Sequence, residues 1–289
     1  MWALCLSALS RRQSLAASGT MSLPESGLAF ERIATTYDAD LTDSPVSRLL
    51  RAQLWAWLAA LFPPGNYLLE LGCGTGEDAI WFAQRGVRVL ATDISPQMLA
   101  ITAQKAAQHG VGHLVQVQLL DLDRAEAWQL PERAFDGVYS NYGALNCTAN
   151  WSALGAALAH AVRYGGCAAF TLISRFSLIE TCWHAAHGNW RVAFRRWRGK
   201  ASARIGAISF PIYYPTARQF RRAFGAAWRL RKLRGWGIFL PPSDLYGALA
   251  RHPRLLRRLG AAERLAAPLA LSAYLADQFW IVLERRCEF

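Results

Sequence analysis

Leu68-Leu69-Glu70-Leu71-Gly72-Cys73-Gly74-Thr75-Gly76-Glu77-Asp78 decides the fold. An apolar run ends in an acid, glycines then alternate with small residues, and helix-compatible sequence follows. That order reads as a strand, a tight loop and a helix N-terminus. Glycines in such a loop reach backbone angles closed to other residues and let a ligand lie against the main chain. The helix opening near Glu77 offers unpaired N–H groups to an anionic ligand group such as a carboxylate. The spacing is G-x-G-x-G, whereas a dinucleotide-binding loop reads G-x-G-x-x-G. Glu77 stands where that third glycine belongs. A phosphate-cradling loop needs Gly-Lys-Ser/Thr, and no lysine is present. Glu70, just before the loop, would repel a pyrophosphate and suits a cationic ligand.

Val87-Arg88-Val89-Leu90-Ala91-Thr92-Asp93 reads as the next strand, again ending in an acid. A carboxylate there can accept hydrogen bonds from both hydroxyls of a ribose. With Leu-Glu-Leu-Gly-Cys-Gly-Thr-Gly and then Ala-Thr-Asp-Ile-Ser-Pro-Gln-Met-Leu, the chain resembles the class I S-adenosylmethionine-dependent methyltransferases, clearly over residues 29–174 and loosely beyond. The resemblance implies an α/β fold: a Rossmann-like seven-stranded, mostly parallel sheet with helices on both faces, elaborated by a lid insertion after the fifth strand. It implies S-adenosylmethionine as methyl donor. Its contacts would come from Tyr37, Glu70, Gly72, Cys73, Gly74, Gly76, Asp93, Ile94, Met98, Asp121, Leu122 and Asn141.

The chain has 289 residues, 53% of them hydrophobic, which suits one elaborated α/β domain. The longest uncharged apolar stretch, Leu265 to Ala276, is too short to span a bilayer and contains Pro268. Six scattered cysteines form no C-x-x-C pair, so neither a zinc site nor a disulfide framework is indicated, and a reducing cytoplasm is the simplest home. No metal-ligand cluster stands out. The net charge of +12 favours acidic partners such as nucleic acid, anionic lipid or a phosphorylated substrate, or else reflects the arginine usage of a GC-rich genome.

In chain order, residues 1–28 are expected to be disordered. Their apolar run precedes Arg11 and Arg12, the reverse of a secretory signal, and translation starts at Met1 or Met21. Leu28 to Asp38 resembles the family's short helix ahead of the core, with Tyr37 either reaching the methionine end of the cofactor or standing on a cap-helix surface. Leu49 to Phe62 has helical apolar spacing. After Asp93, Ser95 caps a helix with Pro96 in its first turn, and Gly110 ends it. In the family the side chain at Met98 packs on adenine; core packing is the alternative. Leu114 to Leu120 is the third strand and delivers Asp121-Leu122-Asp123. The family's adenine-reading acid is then Asp121, with Asp123 the alternative in register.

Phe135 to Asn146 is the fourth strand and its C-terminal loop. This loop should line the methyl-transfer site, because ligands sit outside the carboxyl ends of such strands. Ser-Asn-Tyr-Gly stands where methylases of exocyclic adenine nitrogens carry Asp/Asn-Pro-Pro-Tyr/Phe. Asn141, Tyr142 and Asn146 would orient a substrate or hold the loop. Trp151 to Tyr164 is a helix, Tyr164-Gly165-Gly166 a turn and Cys167 to Ile173 a strand buried on both faces. Residues 175–225 form the lid insertion, with a strand at Ile208–Tyr214 and a helix at Ala217–Phe224. Residues 226–289 supply the last strands, Leu230–Trp236 and Phe279–Arg285. Between these strands a helix capped by Ser243 or Asp244 is expected, then Leu- and Arg-rich helices after Pro253. Peripheral membrane contact through these basic helices is one reading; packing on the sheet is the other.

The function expected is methyl transfer to a small apolar or aromatic molecule, with the lid arginines suggesting an acidic group on it. RNA or protein methylation through the basic lid, or noncatalytic binding of S-adenosylmethionine, are the alternatives. His184 and His187 are the nearest candidates for a base, with Asn141 and Tyr142 as candidate positioning groups; a surface or core histidine is the plainer reading of the first two.

Overall fold

The computed structural model describes residues 23–240, 249, 251–269 and 271–287. The first expected strand and its neighbours are present: β1 (Tyr67–Leu71), β2 (Arg88–Asp93), β3 (Val115–Leu119), β4 (Phe135–Ser140) and β5 (Val162–Ile173). Together with β8 (Trp228–Trp236) and β9 (Gln278–Arg285) they form one sheet in the order β3-β2-β1-β4-β5-β9-β8. β1 to β5 pair in parallel, and β9 runs antiparallel to both β5 and β8. The order reverses at β1 and β4, so the ligand crevice of such a sheet opens between their carboxyl ends.

Successive side chains of a strand point to opposite faces. Leu68, Val89, Tyr139 and Trp280 therefore pack on one face with Leu50, Leu54 and Leu58 of α2 (Pro45–Ala59) and Phe82 of α3 (Glu77–Ala83). Leu69, Leu90, Val138 and Phe170 pack on the other with Leu154 and Leu158 of α5 (Trp151–Ala161). α4 (Pro96–Gln108), between β2 and β3, begins with Ser95 accepting the Met98 N–H at 3.1 Å.

Several expected boundaries move. α2 starts at Pro45, four residues early, because Ser44 caps it by accepting the Ser47 N–H at 3.0 Å. α5 ends at Ala161, and Gly165-Gly166 is no turn. β5 already begins at Val162, paired with Phe135, and the pairing resumes at Cys167 with Gly137, so the intervening residues bulge from the ladder. The first helix, α1 (Glu25–Ile33), starts inside the segment expected to be disordered. Gly27 lets it seat against Ile94, so that segment is tied to the core from Glu25 onward. The expected cap at Ser243 or Asp244, and residues 1–22, lie outside the described residues.

The insertion after β5 contains α6 (Leu178–Ala186), α7 (Trp190–Ala193), a short 3-10 turn at Arg195–Arg198, and a hairpin of β6 (Lys200–Ile205) and β7 (Ile208–Tyr213). β6 escapes sequence reading because its Lys-Ala-Ser-Ala-Arg-Ile run has a single large apolar residue, Ile205, at its end. α8 (Ala217–Phe224) is capped by Thr216 and Gln219 reciprocally, and its Phe220 and Phe224 are buried against Phe170 of the sheet. It is a core helix in a stretch expected to be lid. Past β8, α9 (Pro253–Ala266) and α10 (Ser272–Leu275) lead to β9. Among the described residues, no helix is long and apolar enough to cross a membrane.

Candidate active site

The glycine loop follows β1 directly. Gly72 has φ +68° and Gly74 φ +54°, angles that disfavour a side chain. A Cβ on Gly72 would also collide with that of Ala144. Gly76, at φ +83°, stands behind the cleft: a Cβ there would lie 2.6 Å from Thr102, so its task is to let α3 start against α4. The Gly74 N–H donates to Asp93 Oδ2 at 2.9 Å, and the Ser95 N–H to Oδ1 at 3.0 Å. Asp93 thus joins the loop to the start of α4. Burial raises its pKa, and the hydrogen bonds from Ser95 and Gly74 hold part of that rise back.

Glu70 is 3% exposed, and its Oε2 has no hydrogen-bond partner. Burial, reinforced by the charge of Asp78, pushes its pKa well above the usual carboxylate range. Asp78, in the first turn of α3, is buried and accepts from Arg51 (2.6 Å), Trp55 (2.8 Å) and Asn141 (2.7 Å). Burial alone would lower the Arg51 pKa; the carboxylate of Asp78 raises it instead, so the guanidinium stays charged. Arg51 lies 4.3 Å over the ring of Tyr142 and keeps a buried, unpartnered Nε. Tyr142 is itself strained, with φ +56°. Its N–H donates to Thr171 Oγ1 at 2.9 Å, and its ring meets Trp236 edge-on.

A strap closes one side. Thr75 donates to Asp38 Oδ1 at 2.6 Å, and Lys105 donates to Asp38 Oδ2 at 2.9 Å while pairing with Glu77. Burial opposes the charge of Asp38, but the hydrogen bonds from Thr75 and Lys105 outweigh it and its pKa falls. The strap places Tyr37 above Gly74, where burial raises its hydroxyl to about 12.

These residues enclose one cleft. Tyr37, Glu70, Gly72, Cys73, Gly74, Asp93, Ile94, Met98, Asp121, Leu122 and Asn141 all line it, and Gly76 does not. Asp121 caps the turn after β3 by accepting the Asp123 N–H at 2.9 Å; Asp123 lines the same wall but is exposed. Six carboxylates (Glu70, Glu77, Asp78, Asp93, Asp121 and Asp123) face one guanidinium, Arg51. In a chain of net charge +12, this is an acidic well. It suits a cationic ligand and opposes a pyrophosphate.

Residues 68–166 match a family model described as a methyltransferase domain. Those residues carry a methyltransferase domain. It is 32% identical over 164 residues to a malonyl-[acyl-carrier protein] O-methyltransferase of Serratia marcescens, covering 57% of this chain and 58% of that one. To a demethylmenaquinone methyltransferase of Thermus thermophilus it is 37% identical over 128 residues, covering 44% and 56%. The chain thus spans little more than half the length of these relatives. A solved S-adenosylmethionine-dependent methyltransferase from Mesorhizobium loti shares the fold, with a TM-score of 0.53 at 21% identity, covering 82% of this chain and all of that one.

The solved relative is S-adenosylmethionine-dependent, and the cleft of this chain fits S-adenosylmethionine. The orphaned Glu70 Oε2 is an acceptor for the ligand's ammonium, and the orphaned Arg51 Nε a donor for its carboxylate. Asp93 stands at the end of β2 for the ribose, and Met98, Ile94 and Leu122 offer apolar walls beside Asp121 for the base. Sequence reading missed Arg51, Trp55 and the role of Asp78. Arg51 follows Leu50 on a helix whose apolar stripe buries Leu50, Leu54 and Leu58. A lone cation bordering such a stripe is the signal that was there to find.

A second cavity, about 360 Å³, adjoins the first and shares Tyr37, Arg51 and Tyr142 with it. Leu41, Ile173, Ala203, Ile212 and Tyr214 give it apolar walls; Thr42, Ser47, Ser202 and Gln278 give it polar ones. Arg195 and Arg196 line it too, but both pair with Glu180, and Arg196 also pairs with Asp277 at 2.9 Å. The two arginines of the insertion that line this cavity are therefore already neutralised by the protein. His184 and His187 line neither cavity. His187 is exposed and stacks on Trp183. Asn146 is used up structurally, since its amide donates to the carbonyls of Ile173 and Tyr213 and accepts the Ile173 N–H.

Proposed function

We propose that this chain transfers a methyl group from S-adenosylmethionine to a small, largely apolar molecule seated in the second cavity. The observation that carries this reading is the meeting of the two cavities at Tyr37, Arg51 and Tyr142. S-adenosylmethionine supplies an electrophilic methyl group on a sulfonium. The protein's part is alignment and exclusion of water, worth about 7–11 kcal/mol for well-oriented reactants. Tyr142 is held at the junction by Arg51, Trp236 and Thr171, so its wall cannot swing aside. Among the described residues lining the second cavity there is no histidine, and its carboxylate, Asp277, is ion-paired with Arg196. The acceptor atom therefore carries its own nucleophilicity, as an ionised or electron-rich oxygen, nitrogen or carbon does. The five described cysteines are free thiols, which suits a cytoplasmic location.

Calorimetry with S-adenosylmethionine and S-adenosylhomocysteine tests the donor site; equal binding by wild type and Asp93→Ala overturns it. Labelled methyl transfer into a cell extract, fractionated into lipid, small-molecule, RNA and protein pools, tests the acceptor class. Label confined to RNA or protein would sink the small-molecule reading.

A further inference from the structure

The stretch between β5 and β6 exposes aromatic side chains that the core does not use. Trp190 is 61% exposed, Trp197 48% and Trp183 44%, with Phe176, Leu178 and Phe194 also open to solvent. The rings are contiguous. Trp190 lies 6.3 Å from Phe194, Phe194 4.9 Å from Trp197, and Trp197 5.3 Å from Phe176. A connected apolar patch of this kind marks an interaction surface.

The charge around the patch has one sign. Residues 175–200 contain six Lys and Arg residues and a single acid, Glu180. Glu180 is buried, where it pairs with Arg195 and Arg196. Arg191, Arg198 and Lys200 are exposed between and beside the aromatic positions. The partner must therefore be anionic and must also accept large apolar side chains.

Ring geometry separates the anionic candidates. A single-stranded nucleic acid stacks its bases on open ring faces. Here Trp190 and Phe194 are parallel to within 6°, and Trp183 stacks on His187 at 4.5 Å, so each pair leaves a base at most its outer faces. Leu178 adds an aliphatic side chain with nothing to offer a base. A bilayer interface takes tryptophans, aliphatic side chains and arginines together, the rings at headgroup level and the cations on lipid phosphates.

We propose that residues 176–198 dock this protein on the surface of an anionic lipid bilayer. The same stretch supplies Arg195 and Arg196 to the wall of the second cavity, so docking would bring that cavity to the lipid. This corollary rests on the methyl-transfer reading; the docking does not.

The test is co-sedimentation of the full chain with phosphatidylcholine vesicles, with and without phosphatidylglycerol, at low and raised salt. Binding is expected on the phosphatidylglycerol vesicles and should weaken with salt. A Trp190→Ser, Trp197→Ser double variant, checked for fold by circular dichroism, should partition about tenfold less. Arg191→Glu with Arg198→Glu should abolish the preference for anionic vesicles. Failure to sediment with phosphatidylglycerol vesicles overturns the proposal. So does equal partitioning of the tryptophan variant, or retention of the protein by single-stranded RNA or polyglutamate but not by vesicles. Cofactor titration of the same preparations reads the donor site separately, so the two proposals fail independently.

Discussion

Arg51, which lines both cavities, donates a 2.6 Å hydrogen bond to Asp78 of the donor cleft in a buried ion pair. Both charges are out of water, and each is needed to hold the other. Breaking a buried pair from one side leaves an uncompensated charge and costs about 3–5 kcal/mol. Arg51→Met should therefore destabilise the fold by about that amount in chemical denaturation. Arg51→Met with Asp78→Asn should regain more than half of the loss, since no lone charge remains. Simple additivity of the two changes would show that the pair is not coupled.

Glu70 gives the site a proton to lose. Its pKa is raised above 4.5 in the folded protein by burial and by Asp78, so the protein without ligand holds this carboxyl protonated into mildly acidic conditions. A group raised on folding contributes stability that is complete below its unfolded pKa and lost as pH rises through the folded one. Glu70 therefore favours the ligand-free fold near pH 4.5 and progressively less above it. A bound ammonium reverses the preference and favours the carboxylate. Cofactor binding in mildly acidic buffer should then release a proton, read as a dependence of the calorimetric enthalpy on buffer ionisation heat. Glu70→Gln should bind more weakly and release none.

The lining of the first cleft was legible because it is written in contiguous sequence. Glu70, the glycine loop and Asp93 are brought together by one strand–helix–strand unit, whose spacing fixes their geometry. Asp121 needed one more crossover and was still readable, because strand ends point to one edge. Arg51 was not, since its partner is 27 residues away and only packing of α2 on the sheet turns it inward. The acceptor side was hardest. Its walls come from α2, β5, the β6–β7 hairpin and β9, with residues as far apart as Thr42 and Gln278. Nothing local in the sequence announces Asp277 as the partner that removes Arg196 from ligand recognition. The histidines of the insertion suggested a base by type alone, and the fold left them outside both cavities.

Asp38 is the fastening of the strap, and its loss should show in kinetics before stability. Its two oxygens hold Thr75 of the loop and Lys105 of α4. Asp38→Asn keeps the size but weakens both bonds, so cofactor dissociation should quicken about tenfold while the unfolding midpoint barely moves. The pH dependence has the opposite sign to that of Glu70. Because the Asp38 pKa is lowered on folding, its contribution is present above 3.8 and fades as pH falls below that value. Stopped-flow release of the cofactor should thus accelerate at acid pH in wild type and less steeply in the variant, where Glu70 still titrates. An unchanged off-rate in Asp38→Asn would remove the strap from the mechanism.

Filling the second cavity should separate acceptor from donor. Ala203 lies on β6, far in sequence from the glycine loop, and lines the second cavity without lining the first. Its side chain is half-buried in a two-stranded hairpin, so a larger residue there need not disturb the sheet. Ala203→Trp would place an indole in the 360 Å³ space, where the acceptor would have to pack against it, and packed interiors tolerate little excess. Methyl transfer into the extract's small-molecule pool should drop by about two orders of magnitude, the scale on which misplacement acts. S-adenosylmethionine affinity should stay within about twofold, because no donor contact is touched. Ala203→Ser, which keeps the volume, should leave transfer intact. If the tryptophan variant transfers at the wild-type rate, the acceptor does not bind in this cavity, and the junction at Tyr142 loses its assigned role.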